Sequence, residues 1–249
     1  MIKFDILNKK YKLFNDGSVD SICLFGSYAR GDYDDQSDID LLIIVEDCDE
    51  ENLIARKKKI EKELELPYHW LSVYRKSSIK AMHKYGSYFL WHIKNEGKIL
   101  YSRTPFLSSL LDTLPPYLKT RENLIEYLEV CGDIKKSIQM DAVTLKYDLS
   151  ILASIIRNTC IALCFLYNKY DFGKYSVVKQ CQDILGREFP ITLEEYEKLY
   201  NFRLIETRNL NLGHAVENII NKDYLQSWIK HAEDLIHLAL DKEREVSCV

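Results

Sequence analysis

Proline and glycine are scarce, 5 and 9 among 249 residues. So little punctuation argues against a disordered chain and for long regular elements. Paired cysteines are missing as well. The seven cysteines are odd in number and none are spaced as Cys-x-x-Cys. That argues against a zinc site or a disulfide framework, and for free thiols in a cytoplasmic setting. Neither sign of charge dominates: 34 basic against 38 acidic residues leave a net charge of −4. There is thus no electrostatic case for tight, non-specific nucleic-acid binding, although a local basic groove stays open. No run reads as long enough to span a membrane, and Met1 leads straight into a charged stretch, so neither a span nor a leader is expected. What is present is 47% hydrophobic residues, enough for a real core. The length allows one large domain or two ordinary ones.

The informative stretch is Ser21 to Val45, SICLFGSYARGDYDDQSDIDLLIIV. An apolar run ends in Gly26-Ser27. Arg30-Gly31 and a polar loop follow, and Asp38-Ile39-Asp40 enters a second apolar run. The pattern predicts strand, glycine turn, short helix, loop, strand. Gly26 has no Cβ and lets backbone approach a phosphate. Ser27 stands where a helix begins, with a hydroxyl and free N–H groups suited to phosphate. Asp38 and Asp40 are two apart, which on a strand places both carboxylates on one face. They repel unless a cation lies between them. Mg²⁺ fits, because it takes hard oxygen ligands and keeps phosphate as a partner. Two such ions could hold the attacking and leaving oxygens of a phosphoryl transfer in line.

Gly26-Ser27-x-x-Arg30-Gly31, a polar loop, and Asp38-x-Asp40 together resemble the signature of the DNA polymerase β-like nucleotidyltransferases, closest to the minimal ones. The resemblance implies a nucleoside triphosphate, with ATP expected, held by Gly26 and Ser27. It also implies Mg²⁺ on Asp38 and Asp40. Arg30 would steady the motif, reach phosphate, or form a salt bridge to the acidic loop. A third carboxylate is expected near the start of the next strand. The best-matching position there holds His69, with Ser72 close by and Glu65 lying earlier, before Pro67. Either His69 serves as the base, which suits histidine at neutral pH, or that role is missing and the enzyme is weakened or dead.

Along the chain, Phe4, Ile6, Leu7, Tyr11 and Phe14 predict a helix over 3–14. A helix is expected over 50–66; its Arg56-Lys57-Lys58-Lys59 cluster reads as a solvated face paired with glutamates. A strand over Tyr68 to Tyr74 comes next. A helix over 77–96 follows, with Ser77 or Ser78 as cap and Gly86 inside it. Lys98 to Tyr101 reads as a last short strand. Beyond it the composition turns to long amphipathic runs: 121–140, 141–169, 175–185, 192–210 and 216–242. The second is apolar all round and so central. Short loops between helices predict an antiparallel bundle. The boundaries are 1–103 for a nucleotidyltransferase domain, 104–116 for a linker with a short helix, and 117–249 for the bundle.

Within that bundle, Arg208 and His214 are six apart in RNLNLGH, with Asn209 after the arginine. This resembles the R-x(4–6)-H motif of HEPN domains, helical bundles often fused to or encoded beside minimal nucleotidyltransferases. It implies metal-independent RNA cleavage, with His214 as acid or base and Arg208 stabilising the phosphorane. It also implies a homodimer through the helical domain. A helix-capping arginine beside a loop histidine is the plain structural account. Val216 stands where some relatives carry a tyrosine that is modified, so self-modification is not implied.

The expected fold class is α+β: a small mixed sheet with helices, then an all-α bundle. The expected function is transfer of a nucleoside monophosphate, AMP in the first instance, to an acceptor hydroxyl with release of pyrophosphate. The acceptor is a small molecule such as an antibiotic, a protein side chain, or an RNA end. The rival is a HEPN-type ribonuclease, toxin-like or antiviral, with the other half as nucleotide sensor or inhibitor. A third reading is a nucleotide-binding regulatory module with neither site active.

Overall fold

Two adjoining apolar strands, each buried along nearly its whole length, form the centre of the first unit: β3 (Val19–Phe25) and β4 (Asp40–Val45). A computed structural model describes residues 1–35, 37–142, 144–208 and 220–247, the side chain of 208 excepted. The chain divides into two compact units, Met1–Leu118 and Lys119–Val249. The first is mixed α and β and the second all α, so the α+β class holds.

In the first unit, β1 (Ile2–Ile6) and β2 (Lys9–Leu13) form a hairpin. The expected helix over 3–14 is therefore overturned. Ile2, Phe4 and Ile6 alternate into the core, as do Tyr11 and Leu13, which is period 2. Leu7 and Phe14, two anchors of the helical pattern, are more than half exposed, and Leu7 turns the hairpin at φ 51°. The main sheet has the order β5-β4-β3-β6, with β5 (Leu71–Arg75) parallel to β4 and β6 (Lys98–Ser102) antiparallel to β3. A parallel pair needs a crossover. Here α2 (Glu50–Leu64) supplies it and buries Leu53, Ile60 and Leu64. The short α1 (Gly26–Arg30) follows β3 directly.

The other sheet face carries α3 (Lys76–Lys84), α4 (Tyr88–Glu96) and α5 (Phe106–Asp112). The single helix expected over 77–96 is two. Gly86, at φ 65°, separates them, and a Cβ there would meet the carbonyl oxygens of Pro115 and Pro116 at 2.3 Å each. Ser87, not Ser77 or Ser78, caps the second. The expected linker over 104–116 belongs to this unit's core, because Leu107, Leu111 and Leu114 are buried in it. Leu118 N donates to Tyr85 O at 3.1 Å, tying the segment to the turn after α3.

At the Val19 end of the sheet, Asp20 is fully buried. It accepts hydrogen bonds from Thr104 Oγ1 (2.7 Å), Ser21 Oγ (2.9 Å) and Lys76 Nζ (2.8 Å). Burial pushes its carboxyl up, but the bonds from Lys76, Thr104 and Ser21 outweigh that and hold it below its ordinary value.

The second unit comprises α6 (Thr120–Gln139), α7 (Leu145–Leu166), α8 (Ser176–Leu185), α9 (Leu193–Arg208) and α10 (Lys222–Ser247). Ion pairs Arg121–Glu243 (3.1 Å) and Lys135–Glu233 (2.6 Å) show α6 and α10 running antiparallel. Thr192 caps α9 reciprocally: Glu195 N donates to Thr192 Oγ1 at 3.2 Å, and Thr192 N to Glu195 Oε2 at 2.8 Å. By length and composition α7 could cross a membrane, against the expectation that no run could; 67% of its most apolar stretch is buried inside the protein. The six described cysteines are unbridged.

Removing the Asp20 charge leaves Lys76 and Arg103 under-compensated beside a buried amide. Asp20→Asn is expected to cost about 3 kcal/mol in urea unfolding at neutral pH. The folded pKa is lowered, so Asp20 stabilises the fold above its unfolded pKa, near 3.8, and loses that effect as pH falls through the folded value. The gap between wild type and variant should therefore narrow below about pH 4, read by urea titrations across pH.

Candidate active site

Antiparallel pairing sets Phe25 of β3 opposite Asp40 of β4. That pairing brings the glycine turn to the first residue of the acidic strand. Gly26 has φ 71°, and a Cβ on it would lie 2.1 Å from Asp40 Oδ2. Only a residue without a side chain lets this carboxylate and the turn share the space. Phe25, the residue before α1, gives its first turn no side-chain cap. Ser27 stands in that turn, half-buried. Asp38 and Asp40 are half-buried too, and Asp38 lies in the loop just before the strand.

Two carboxylates at this end of the sheet fit Mg²⁺, which binds through one or two carboxylates and completes its shell with phosphate and water. Among the described residues there is no cluster of three or more His, Cys, Asp or Glu that could hold a metal unaided.

Arg30 faces α4 rather than an open pocket. Its Nη1 donates to Glu96 at 2.9 Å and its Nε to Asp32 at 3.2 Å. Burial pulls the guanidinium pKa down, but Glu96 first and Asp32 next hold it above the usual value. Glu96, with a side chain only 7% exposed, also meets His92 Nε2. The His92 ring in turn packs edge-on against Phe25 at 5.3 Å. This Arg30–Glu96–His92 brace was invisible in the sequence: Glu96 is 66 residues from Arg30, and nothing in its local pattern announces the pairing. Across the turn, Tyr28 and Tyr33 stack at 4.4 Å. Burial first, then the neighbouring tyrosines and Asp35 and Asp34, raise the Tyr28 phenol pKa.

His69 lies in a 3₁₀ turn, Tyr68–Trp70, which precedes β5 and shortens the expected strand. Leu41 pairs with Leu71 in parallel register, so this turn stands at the same sheet end as Asp40. The ring is exposed and edge-on to Trp70 at 6.2 Å. Side chains alternate along a strand, so Asp40 shares its face with Leu42, and Leu42 is paired with Ser72. Glu65 ends α2 in a left-handed conformation. Of the helical-unit pair, the backbone of Arg208 ends α9; its side chain and all of His214 lie outside the described residues.

Gly26→Ala should displace the Asp40 carboxylate and strain the turn by about 1–2 kcal/mol. Calorimetric titration with ATP and Mg²⁺ should show binding lost, while far-UV circular dichroism stays native.

Residues 8–106 match the family described as Polymerase beta, Nucleotidyltransferase. Two Methanocaldococcus jannaschii proteins provisionally named as protein adenylyltransferases are similar over short stretches. One is 50% identical over 44 residues, 18% of this chain and 41% of the relative. The other is 55% identical over 38 residues, 15% of this chain and 34% of the relative. The chain thus spans well under half the length of either. Among solved structures, spectinomycin adenyltransferase AAD(9) from Enterococcus faecialis, crystallised with ATP and spectinomycin, is 13% identical; the match covers 89% of this chain and 93% of that one at a TM-score of 0.48. Sequence similarity, turn and acidic strand coincide on one segment: residues 8–106 form a nucleotidyltransferase domain of the polymerase β type.

Proposed function

We propose that this domain transfers AMP from ATP to an acceptor hydroxyl, with Mg²⁺ as cofactor. The observation that carries the reading is the Asp40 carboxylate packed against the left-handed turn at Gly26. The names of the two similar proteins support adenylyl as the transferred group. Gly26 and Ser27 would receive the triphosphate, and Asp38 and Asp40 would hold the metal. Bound there, Mg²⁺ would offset the charge of the phosphates and of the departing pyrophosphate. The acceptor oxygen forms a bond to the α-phosphorus as the bond to the bridging oxygen breaks, and pyrophosphate leaves. The acceptor proton passes to His69, the ionisable side chain of the segment that enters β5 beside Asp40. Arg30, held by Glu96 and Asp32, keeps α1 in place and does not contact phosphate.

The test supplies α-labelled nucleoside triphosphates and Mg²⁺ to an extract containing small molecules, RNA and protein. Label from ATP should enter a product whose size names the acceptor class, and Asp40→Asn should reduce it to background. Nucleotide binding without any labelled product would overturn the reading. His69→Ala should slow transfer by about a hundredfold or more if it takes the proton; a change of only a few fold would assign the proton to water. A ribonuclease role for Arg208 and His214 rests on their motif alone, and RNA cleavage in the same extract that His214→Ala removes would establish it.

A further inference from the structure

Several cations of the first unit are paired with carboxylates: Arg30 with Glu96, Lys76 with Asp20, Arg75 with Glu50; the half-buried Arg56 instead donates to the carbonyl oxygen of Glu46. Two arginines of the helical unit likewise meet neutral oxygens. Arg157 on α7 donates Nη2 to the carbonyl oxygen of Phe172, and its Nε is buried with no acceptor. Arg203 on α9 donates Nη1 to Ser154 Oγ. Neither has a carboxylate partner among the described residues, so both charges are answered only by neutral oxygens.

The two share one interface. Ser154 and Arg157 are three apart on α7 and so occupy one helix face. Arg203 reaches that face from α9 through Ser154. Seven residues before Arg203, the Tyr196 hydroxyl bonds the neighbouring Ala153 O at 3.4 Å. Burial drives the Tyr196 pKa well up, while the charges of both Arg157 and Arg203 pull it down, so both cations bear on this one phenol. Tyr200 lies one turn before Arg203, and its ring meets Tyr175 at 5.4 Å and 72°. Arg157, Arg203, Ser154, Tyr175 and Tyr200 are all only partly buried, so the cluster is reached from solvent.

Two guanidinium groups held in one low-dielectric seam repel, and each loses hydration. A small dianion would offset both charges and accept their remaining N–H donors. The planar fork of arginine suits a tetrahedral oxyanion. We propose that the α7–α9 seam of the helical unit is an anion site for a phosphoryl group, formed by Arg157 and Arg203 with Ser154 and Tyr200 at its edge. It lies wholly on the second unit and stands independently of adenylyl transfer by the first.

The test titrates inorganic pyrophosphate, and separately inorganic phosphate, into the full chain with the metal chelated. Calorimetry should show saturable binding of one anion, weakened about tenfold or more by Arg203→Met. Arg157→Met should act in the same direction, and Arg203→Lys, which keeps the charge but loses the fork, should weaken binding even if the methionine variants do not fold. Gly26→Ala should leave this binding unchanged. Absence of saturable binding would overturn the proposal. So would binding that is indifferent to all three arginine substitutions, or binding that Gly26→Ala removes. ATP gives a second arm: if the seam takes the phosphates of a nucleotide, ATP should compete with pyrophosphate in the Gly26→Ala protein; if it takes free phosphate alone, it should not.

Discussion

The antiparallel pairing of β3 with β4 is the constraint on which the rest of the first unit depends. Phe25 lies opposite Asp40, so the chain must turn away at Gly26 just where the acidic strand begins. A one-residue slip would send Leu41, Ile43 and Val45 to the wrong face. Both faces of these strands are buried in separate cores, so such a slip would be costly on either side. Register, core and site geometry are therefore one fact seen three ways.

Electrostatics then secures the two ends of the sheet differently. At the Val19 end, the buried Asp20 carboxylate gathers Lys76 and Thr104 and locks β3 to the segment after β6. At the Gly26 end, Arg30 is committed to Glu96 and Asp32, which braces α1 against α4. One end is closed by mutual neutralisation. The other sets the Asp40 carboxylate against the left-handed turn at Gly26. In the helical unit, Arg157 and Arg203 are instead answered by neutral oxygens, with no carboxylate ion pair to either among the described residues.

Much of this was legible locally. The burial of both central strands followed from unbroken apolar runs, and the turn between them from Gly26-Ser27. The Thr192 cap and the central place of α7 were readable for the same reason: each is a short-range pattern. The hairpin at 2–13 was not, because its apolar residues fit a helical period as well as an alternating one. Gly86 was seen but not its consequence, since the carbonyls that exclude a side chain there come from Pro115 and Pro116.

By itself, the sequence determined the element types of the long periodic segments, the donor and acceptor groups carried at Gly26, Ser27, Asp38 and Asp40, and the lack of Cys-x-x-Cys spacing, because these reside in residue identity and spacing. Tertiary structure alone decided that Asp40 abuts Gly26, that Arg30 is occupied by Glu96, that His69 sits in a turn rather than on the strand, and that Arg157 and Arg203 share a seam. Each of these depends on which distant residue arrives to take the hydrogen bond or fill the space, and chain order does not carry that information.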